Sequence, residues 1–188
     1  MSSQLAPGLL VAAPGMSCPF FNHTVILLVE HGEDGALGFV VNQPTEQPVT
    51  SLMEGLEIDD LADEIDGEVW VGGPVAPDTG WVLFDPTSGE TDEVDALRIA
   101  PRVAVSASRI FLEQIAEGGG PERYAVLLGY AGWGPDQLDD ELREGSWIPI
   151  EIDPKIIFDL PPEERWSAAL ATLGIDPARF GRLGVAEA

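Results

Sequence analysis

Thr24–Glu30 (TVILLVE) is a run of β-branched and leucine residues, and the chain passes from it through His31–Gly35 (HGEDG) into Ala36–Val41 (ALGFVV). Two short apolar runs on either side of a Gly-Glu-Asp-Gly turn signal predict a buried antiparallel hairpin. Pro44 closes it, because a residue with no N–H cannot continue a central strand. This hairpin sets the frame into which the rest of the chain must fit.

Most other segments read as short strands first and helices later. Leu9–Ala13 is a strand bounded by Pro-Gly pairs. Thr50 is placed to cap a short helix through Leu56. Glu57–Glu68 carries seven carboxylates, with Leu56, Ile58, Leu61 and Ile65 at partial helical spacing, and reads as a solvated helix or loop. Val69–Val71 is a strand ending at Gly72-Gly73-Pro74. Gly80–Phe84 is another, and the short link between them predicts a second hairpin. Asp85–Asp95 reads as an exposed loop, and Val103–Ser106 as a strand. Ser108 caps a helix to Glu117 with Ile110, Phe111 and Ile115 on its apolar side, stopped by Gly118-Gly119-Gly120-Pro121. Tyr124–Leu128 is a buried strand, Pro135 opens a helix to Glu144, and Trp147–Ile152 is a strand. Pro161 or Pro162 opens a last helix with Trp166, Leu170 and Leu173 inward. A further turn is expected over Asp176–Arg182, followed by a loose tail. Hairpin-like neighbours followed by interspersed helices predict one α+β domain over residues 1–188, with a mostly antiparallel or mixed sheet.

Charge excludes several functions. The chain has 188 residues with 33 Asp and Glu against nine Lys and Arg, a net of −24. The first basic residue is Arg98. No cationic patch can form over the first half, so neither direct nucleic-acid binding nor an anionic membrane surface is expected. Disorder is not expected either, because 45% of residues are apolar and five are Trp. Cys18 is the single cysteine, which fits a reducing compartment. No secretory signal is legible, and the apolar run Val25–Val29 is far too short to span a bilayer. The expected location is the cytoplasm. The acid excess fits a salty cytoplasm or a GC-rich genome.

Few residues carry chemistry. His23 and His31 flank one strand at an even separation, which puts them on one face if that strand is regular. No further clustered ligands follow, so no metal is expected. Cys18 sits among anionic residues, which oppose a thiolate, and reads as passive. Gly72-Gly73-Pro74-Val75 follows a strand and could admit a phosphate, but lacks the Lys of a phosphate loop; a tight turn or close packing accounts for it as well. No Gly-x-Ser-x-Gly elbow surrounds Ser106 or Ser108. Leu128–Pro135 (LGYAGWGP) leaves a strand and enters a helix N-terminus, able either to receive an anion or to pack its Tyr130 and Trp133 under a glycine turn.

Pro19–Thr24, Glu30-His31, Gly35–Pro44 (GALGFVVNQP), Gly72–Val75 (GGPV), Leu128–Leu142 (LGYAGWGPDQLDDEL), Ser146-Trp147 and Ile157–Trp166 together resemble the AlgH/YqgE family of small bacterial proteins. The resemblance implies an α+β fold on a partly closed sheet with flanking helices. It implies no established activity; the family takes its name from a proposed role in alginate regulation, and members are sometimes labelled transcriptional regulators. The chain departs from the family pattern at Cys18 (commonly Asp), His23 (commonly Arg), Asp136 (commonly Gly) and Gly145 (commonly Asn). Any shared catalysis through the first two positions is thereby weakened. The matching His31, Asn42, Gly72, Gly73, Pro74, Tyr130, Gly132 and Trp133 are the candidate ligand-binding residues. In that picture the turns offer backbone N–H groups, Asn42 orients a polar atom and the aromatics stack on a flat one. The expected function is non-enzymatic binding or regulation through an unidentified small ligand or protein, with no cofactor. Two alternatives stand beside it. One is a hydrolase or transferase for a small anionic substrate with His31 as general base. The other is a purely structural role.

Overall fold

The computed structural model describes residues 4–63, 65–91 and 94–179. In chain order the elements are β1 (Gly8–Ala12), β2 (Val25–Gly32), β3 (Gly35–Val40), β4 (Pro44–Pro48), α1 (Val49–Gly55), β5 (Glu68–Val71), β6 (Val75–Phe84), β7 (Leu97–Ala100), β8 (Val103–Ser106), α2 (Arg109–Ala116), β9 (Tyr124–Trp133), α3 (Gln137–Arg143), β10 (Trp147–Ile150), a π-helical turn (Lys155–Asp159) and α4 (Pro162–Ala171). Among the described residues β5 with β9 is the one parallel strand pairing; the rest are antiparallel. The fold is α+β with a mixed, mostly antiparallel sheet, as the element pattern implied. The chain forms two compact units, one of Met1–Asn42 with Ala131–Ala188 and one of Gln43–Tyr130.

In the first unit the strand order is β10-β1-β2-β3, followed by the last three residues of β9. Val25, Ile26, Leu27 and Leu28 are fully buried, so β2 is covered on both faces and its apolar run does not alternate. Each such side chain stabilises the fold by about 1.5–3 kcal/mol. β2 and β3 form the expected hairpin, with Leu27 opposite Phe39 and Gly32 opposite Gly35. Gly35 has φ +126°, and a Cβ there would collide with the Trp133 carbonyl. One irregularity matters: Leu28 faces Gly38 but Glu30 faces Leu37, leaving Val29 as a bulge. One core gathers Leu10, Ile26, Leu28, Val40, Trp133 and Trp147, with Phe20, Phe21 and Trp166 packed against it. Arg165 is also buried, although it stands in α4 where an apolar residue would be expected. It donates to the carbonyls of Leu160 (2.9 Å) and Val41 (2.7 Å). Burial lowers its pKa to about 10, against the opposing pull of Asp159 and Glu163, so it stays charged at neutral pH. Leu173, expected inward, lies beyond α4 and is exposed.

In the second unit β9 pairs with β6 on one side and β5 on the other, and β6 continues to β8 and β7. Val82, Phe84, Phe111, Ile115 and Val126 share a core with Met53, and the Phe84 and Phe111 rings meet edge to face at 4.8 Å. Several details differ from the sequence expectation. β5 and β6 do not form a hairpin, because β9 lies between them. The chain from Pro44 to Pro48, to which the sequence assigns no element, forms a short strand on β5, with its prolines at the two ends where few ladder bonds are needed. α1 begins one residue before Thr50, after Pro48, with no side-chain cap. Ser108 does cap α2, accepting from Phe111 N, but Ile110 faces outward at 68% exposure. The described residues from Glu57 to Gly67 form an irregular loop, one of the two forms expected, anchored by buried Ile58 and by Leu61 and Ile65. Glu64 lies outside the described residues.

Asp85, expected in an exposed loop, is buried. Its Oδ1 accepts from the Thr87 N–H (2.9 Å) and hydroxyl (2.7 Å), and its Oδ2 from Arg102 (2.8 and 3.0 Å). Burial pushes the carboxyl up, but the Thr87 hydrogen bonds and the Arg102 charge outweigh it and hold it below its ordinary 3.8. Asp92 and Glu93 of that loop lie outside the described residues; of the turn expected over Asp176–Arg182, residues 177–179 are helical, and the remainder and the tail lie outside them.

Candidate functional site

β9 is longer than its sequence suggested, running through Gly129 to Trp133. The Tyr130–Trp133 segment is therefore strand and not turn. Tyr130 pairs with Val75, Gly132 with Leu37, and Trp133 with Ala36. Gly129 makes this continuation possible: its φ is +74°, and a Cβ would strike the Gly73 carbonyl. Gly72 is held equally close, its N–H donating to the Leu128 carbonyl at 2.8 Å, and a Cβ there would strike the Gly129 carbonyl. Close backbone packing thus accounts for Gly72 and Gly73, both buried, while Pro74 is exposed and Tyr130 half-buried. These four belong to the second unit. Asn42, His31, Gly132 and Trp133 belong to the first.

Asn42 is a clamp. Its Nδ2 donates to the His23 carbonyl (2.8 Å) and its Oδ1 accepts from Val25 N (3.0 Å), tying down the turn before β2. The two histidines do not share a regular strand. His23 precedes β2 with φ 57° and stacks on Trp166 with ring centroids 4.0 Å apart, and the Val29 bulge intervenes. His31 Nε2 lies 3.2 Å from Asp139 Oδ2 on α3. Among the described residues no group of three or more His, Cys, Asp or Glu is placed to hold a metal. None of their helices is long and apolar enough to cross a membrane.

His31, Ala36 and Trp133 stand opposite one another across β2, β3 and β9, which puts their side chains on one face of the sheet. α3 packs on β3 there. It brings Asp139 to His31 and Glu141 to Trp133. Glu141 gathers three donors: Trp133 Nε1 (3.0 Å) and Trp147 Nε1 (2.8 Å) on Oε2, and Gln137 Nε2 (2.9 Å) on Oε1. Gln137 Oε1 in turn accepts from Gly134 N at 3.0 Å. The buried indole rings are nearly perpendicular, 81° apart with centroids at 6.1 Å, and Phe21 meets Trp147 edge to face at 5.6 Å. A cleft of about 880 Å³ opens here, between the Ala13–Cys18 segment, the end of β9, α3 and the start of β10. Gly132, Trp133, Gln137, Glu141 and Trp147 line it, with exposed Cys18 at its edge. Of the sequence candidates it contains Gly132 and Trp133. Gln137, Glu141 and Trp147 were missed. The available signal was that two tryptophans flank a short acidic helix, and a buried indole N–H requires an acceptor.

The first unit is thus an antiparallel sheet carrying an aromatic cleft floored by a carboxylate, and the second a mixed sheet around a close glycine contact. This combination defines a class of small α+β sheet proteins. Residues 9–178 match the AlgH-like family model, and the chain belongs to that family. It is 42% identical to a UPF0301 protein of Anaeromyxobacter dehalogenans over 181 residues, covering 94% of this chain and 91% of the relative. A UPF0301 protein of Cupriavidus metallidurans is 43% identical over 171 residues, with 89% and 87% covered. The solution structure of the AlgH protein from Pseudomonas aeruginosa superposes with a TM-score of 0.76 at 40% identity, over 96% of this chain and 95% of that one. A crystal structure of a Corynebacterium diphtheriae protein shares the fold, with a TM-score of 0.70 at 24% identity over 90% and 88%.

Proposed function

We propose that this chain is a non-enzymatic cytoplasmic binding protein whose small-ligand site is the cleft floored by Trp133, Glu141 and Trp147. One observation carries the reading: three N–H donors converge on Glu141 at the wall of an open, aromatic cleft. Polar groups fixed in advance against apolar walls are the usual composition of a ligand site. Any effect on transcription is relayed through ligand or protein contacts, since 33 acids against nine bases suit phosphate poorly. Native mass spectrometry of the purified protein tests this. A small-molecule adduct that is absent from the Trp133→Ala variant is expected. Bare polypeptide mass after incubation with a cell extract contradicts the proposal.

The His31–Asp139 pair favours a second reading, with His31 as general base on a small anionic substrate. A metabolite panel with wild type and His31→Ala decides it. Unchanged turnover in the variant removes His31 from any mechanism.

A further inference from the structure

We infer that the cleft takes a small organic cation, an ammonium group carried on an apolar body; this rests on the binding reading just given. Among the described residues the lining includes the carboxylates of Glu141 and Glu144 and no Lys, Arg or His. Glu141 is held, among the described residues, by neutral side-chain donors: two indoles and one amide. Its negative charge is therefore positioned but not compensated by an ion pair. A carboxylate offers about four acceptor positions; three are occupied here, which leaves one for a further donor. An anionic ligand would sit beside two carboxylates with no cation among the described lining residues to receive it. A neutral ligand would leave the charge unused.

The aromatic residues point the same way. Phe21, Trp133 and Trp147 all line the cleft; the two indoles are nearly buried and reach it by little more than an edge, while half-buried Phe21 is the most open of the three rings. A cation over an aromatic face is attracted by the ring quadrupole, and Phe21 is the lining ring open enough to offer one. Met16, Ile148 and Ile175 supply apolar wall for the rest of the molecule. At about 880 Å³ the space suits a metabolite-sized ligand and not a bare ion. The net charge of −24 adds a field that concentrates cations near the surface.

The test uses three probes of similar size and different charge: 2-phenylethylammonium, 2-phenylethanol and phenylacetate. Two readouts are followed on the full chain, tryptophan emission and the rate at which iodoacetamide alkylates Cys18. Cys18 lines the cleft and is the only cysteine, so its protection reports occupancy of that place. The ammonium is expected to change emission saturably and slow alkylation, about tenfold more tightly than the alcohol, while phenylacetate does neither. Glu141→Gln is expected to weaken the ammonium about tenfold, and the exposed Glu144→Gln about threefold. Should Glu141→Gln fold poorly, Glu144→Gln carries the test. If the alcohol or phenylacetate protects Cys18 as well as the ammonium does, the cation inference falls and the cleft reading stands. If no probe protects Cys18 but native mass spectrometry shows an adduct that depends on Trp133, the outcome is the same. If no probe binds and no adduct appears, both fall.

Discussion

Changing Glu141 to alanine removes one acceptor from three donors, and the structure says which of the three will matter. Gln137 is exposed and turns to water at little cost. Trp133 and Trp147 are 6% and 3% exposed, so their indole N–H groups lose a partner while held in place by the core. An unpaired buried donor costs about 1–3 kcal/mol. Water entering the cleft relieves part of this, which puts the total at about 2–4 kcal/mol for the pair. For a chain of this length that lowers Tm by roughly 5–12 °C. Glu141→Gln keeps an amide oxygen for the indoles, loses charge assistance and turns its NH2 toward Gln137 Nε2, an exposed donor that moves to water, for about 1 kcal/mol in all. The assay is urea unfolding followed by tryptophan emission, run as a cycle with Trp147→Phe, which removes one of the stranded donors. A coupling of about 1–2 kcal/mol is expected between the two sites. Glu141→Ala costing under about 1 kcal/mol, or strict additivity in the cycle, refutes the role of Glu141 as acceptor for the two buried indoles.

Other outcomes follow from the same geometry. Gly129→Ala, at φ +74° against the Gly73 carbonyl, is expected to cost more than about 2 kcal/mol, whereas Gly15→Ala, with open space around it, stays within about 0.5 kcal/mol by the same urea measurement. Asp136 holds φ 61° just before α3, a conformation glycine adopts freely; Asp136→Gly is expected to raise Tm, stabilising by about 0.5–1 kcal/mol. The depressed pKa of Asp85 means the unfolded chain binds its proton more readily. Its contribution to stability is therefore present above pH 3.8 and lost as pH falls below that through the folded value, and acid unfolding of Asp85→Asn is expected to be shallower there. With a net charge of −24, Tm is expected to climb steeply with added KCl, and a flat dependence rejects self-repulsion as a significant cost.

Local pattern made much of the fold legible. Residues Val25–Leu28 and Phe39–Val41 are apolar without interruption, and both strands end within two residues of the bounds this pattern implies. Val103–Ser106 and the Ser108 cap were found for the same reason. Where the sequence misled, a local rule met a longer-range demand. Gly129 looks like the end of a strand, yet its positive φ lets β9 pass close to Gly73 and continue to Trp133. Pro77 and Gly80 look like a turn, yet β6 runs through them on β9, with an irregular register between Val75 and Gly80. Arg165 breaks the apolar face of α4 because two main-chain carbonyls need donors there. The site was legible only in part for a similar reason. Gly132 and Trp133 stand out in LGYAGWGP, but Glu141 has no distinguishing neighbour in sequence. Its role depends on α3 and β10 meeting at the end of β9, which is a matter of tertiary packing.

The most direct test is the nitrogen-15 spectrum of the tryptophan indoles, five signals in all, recorded as a small-molecule cell fraction and then 2-phenylethylammonium are added. The account predicts saturable shifts confined to Trp133 and Trp147, with the signal of Trp166, bonded to the Ala12 carbonyl, unmoved. Shifts at the other indoles with Trp133 and Trp147 unchanged would contradict it.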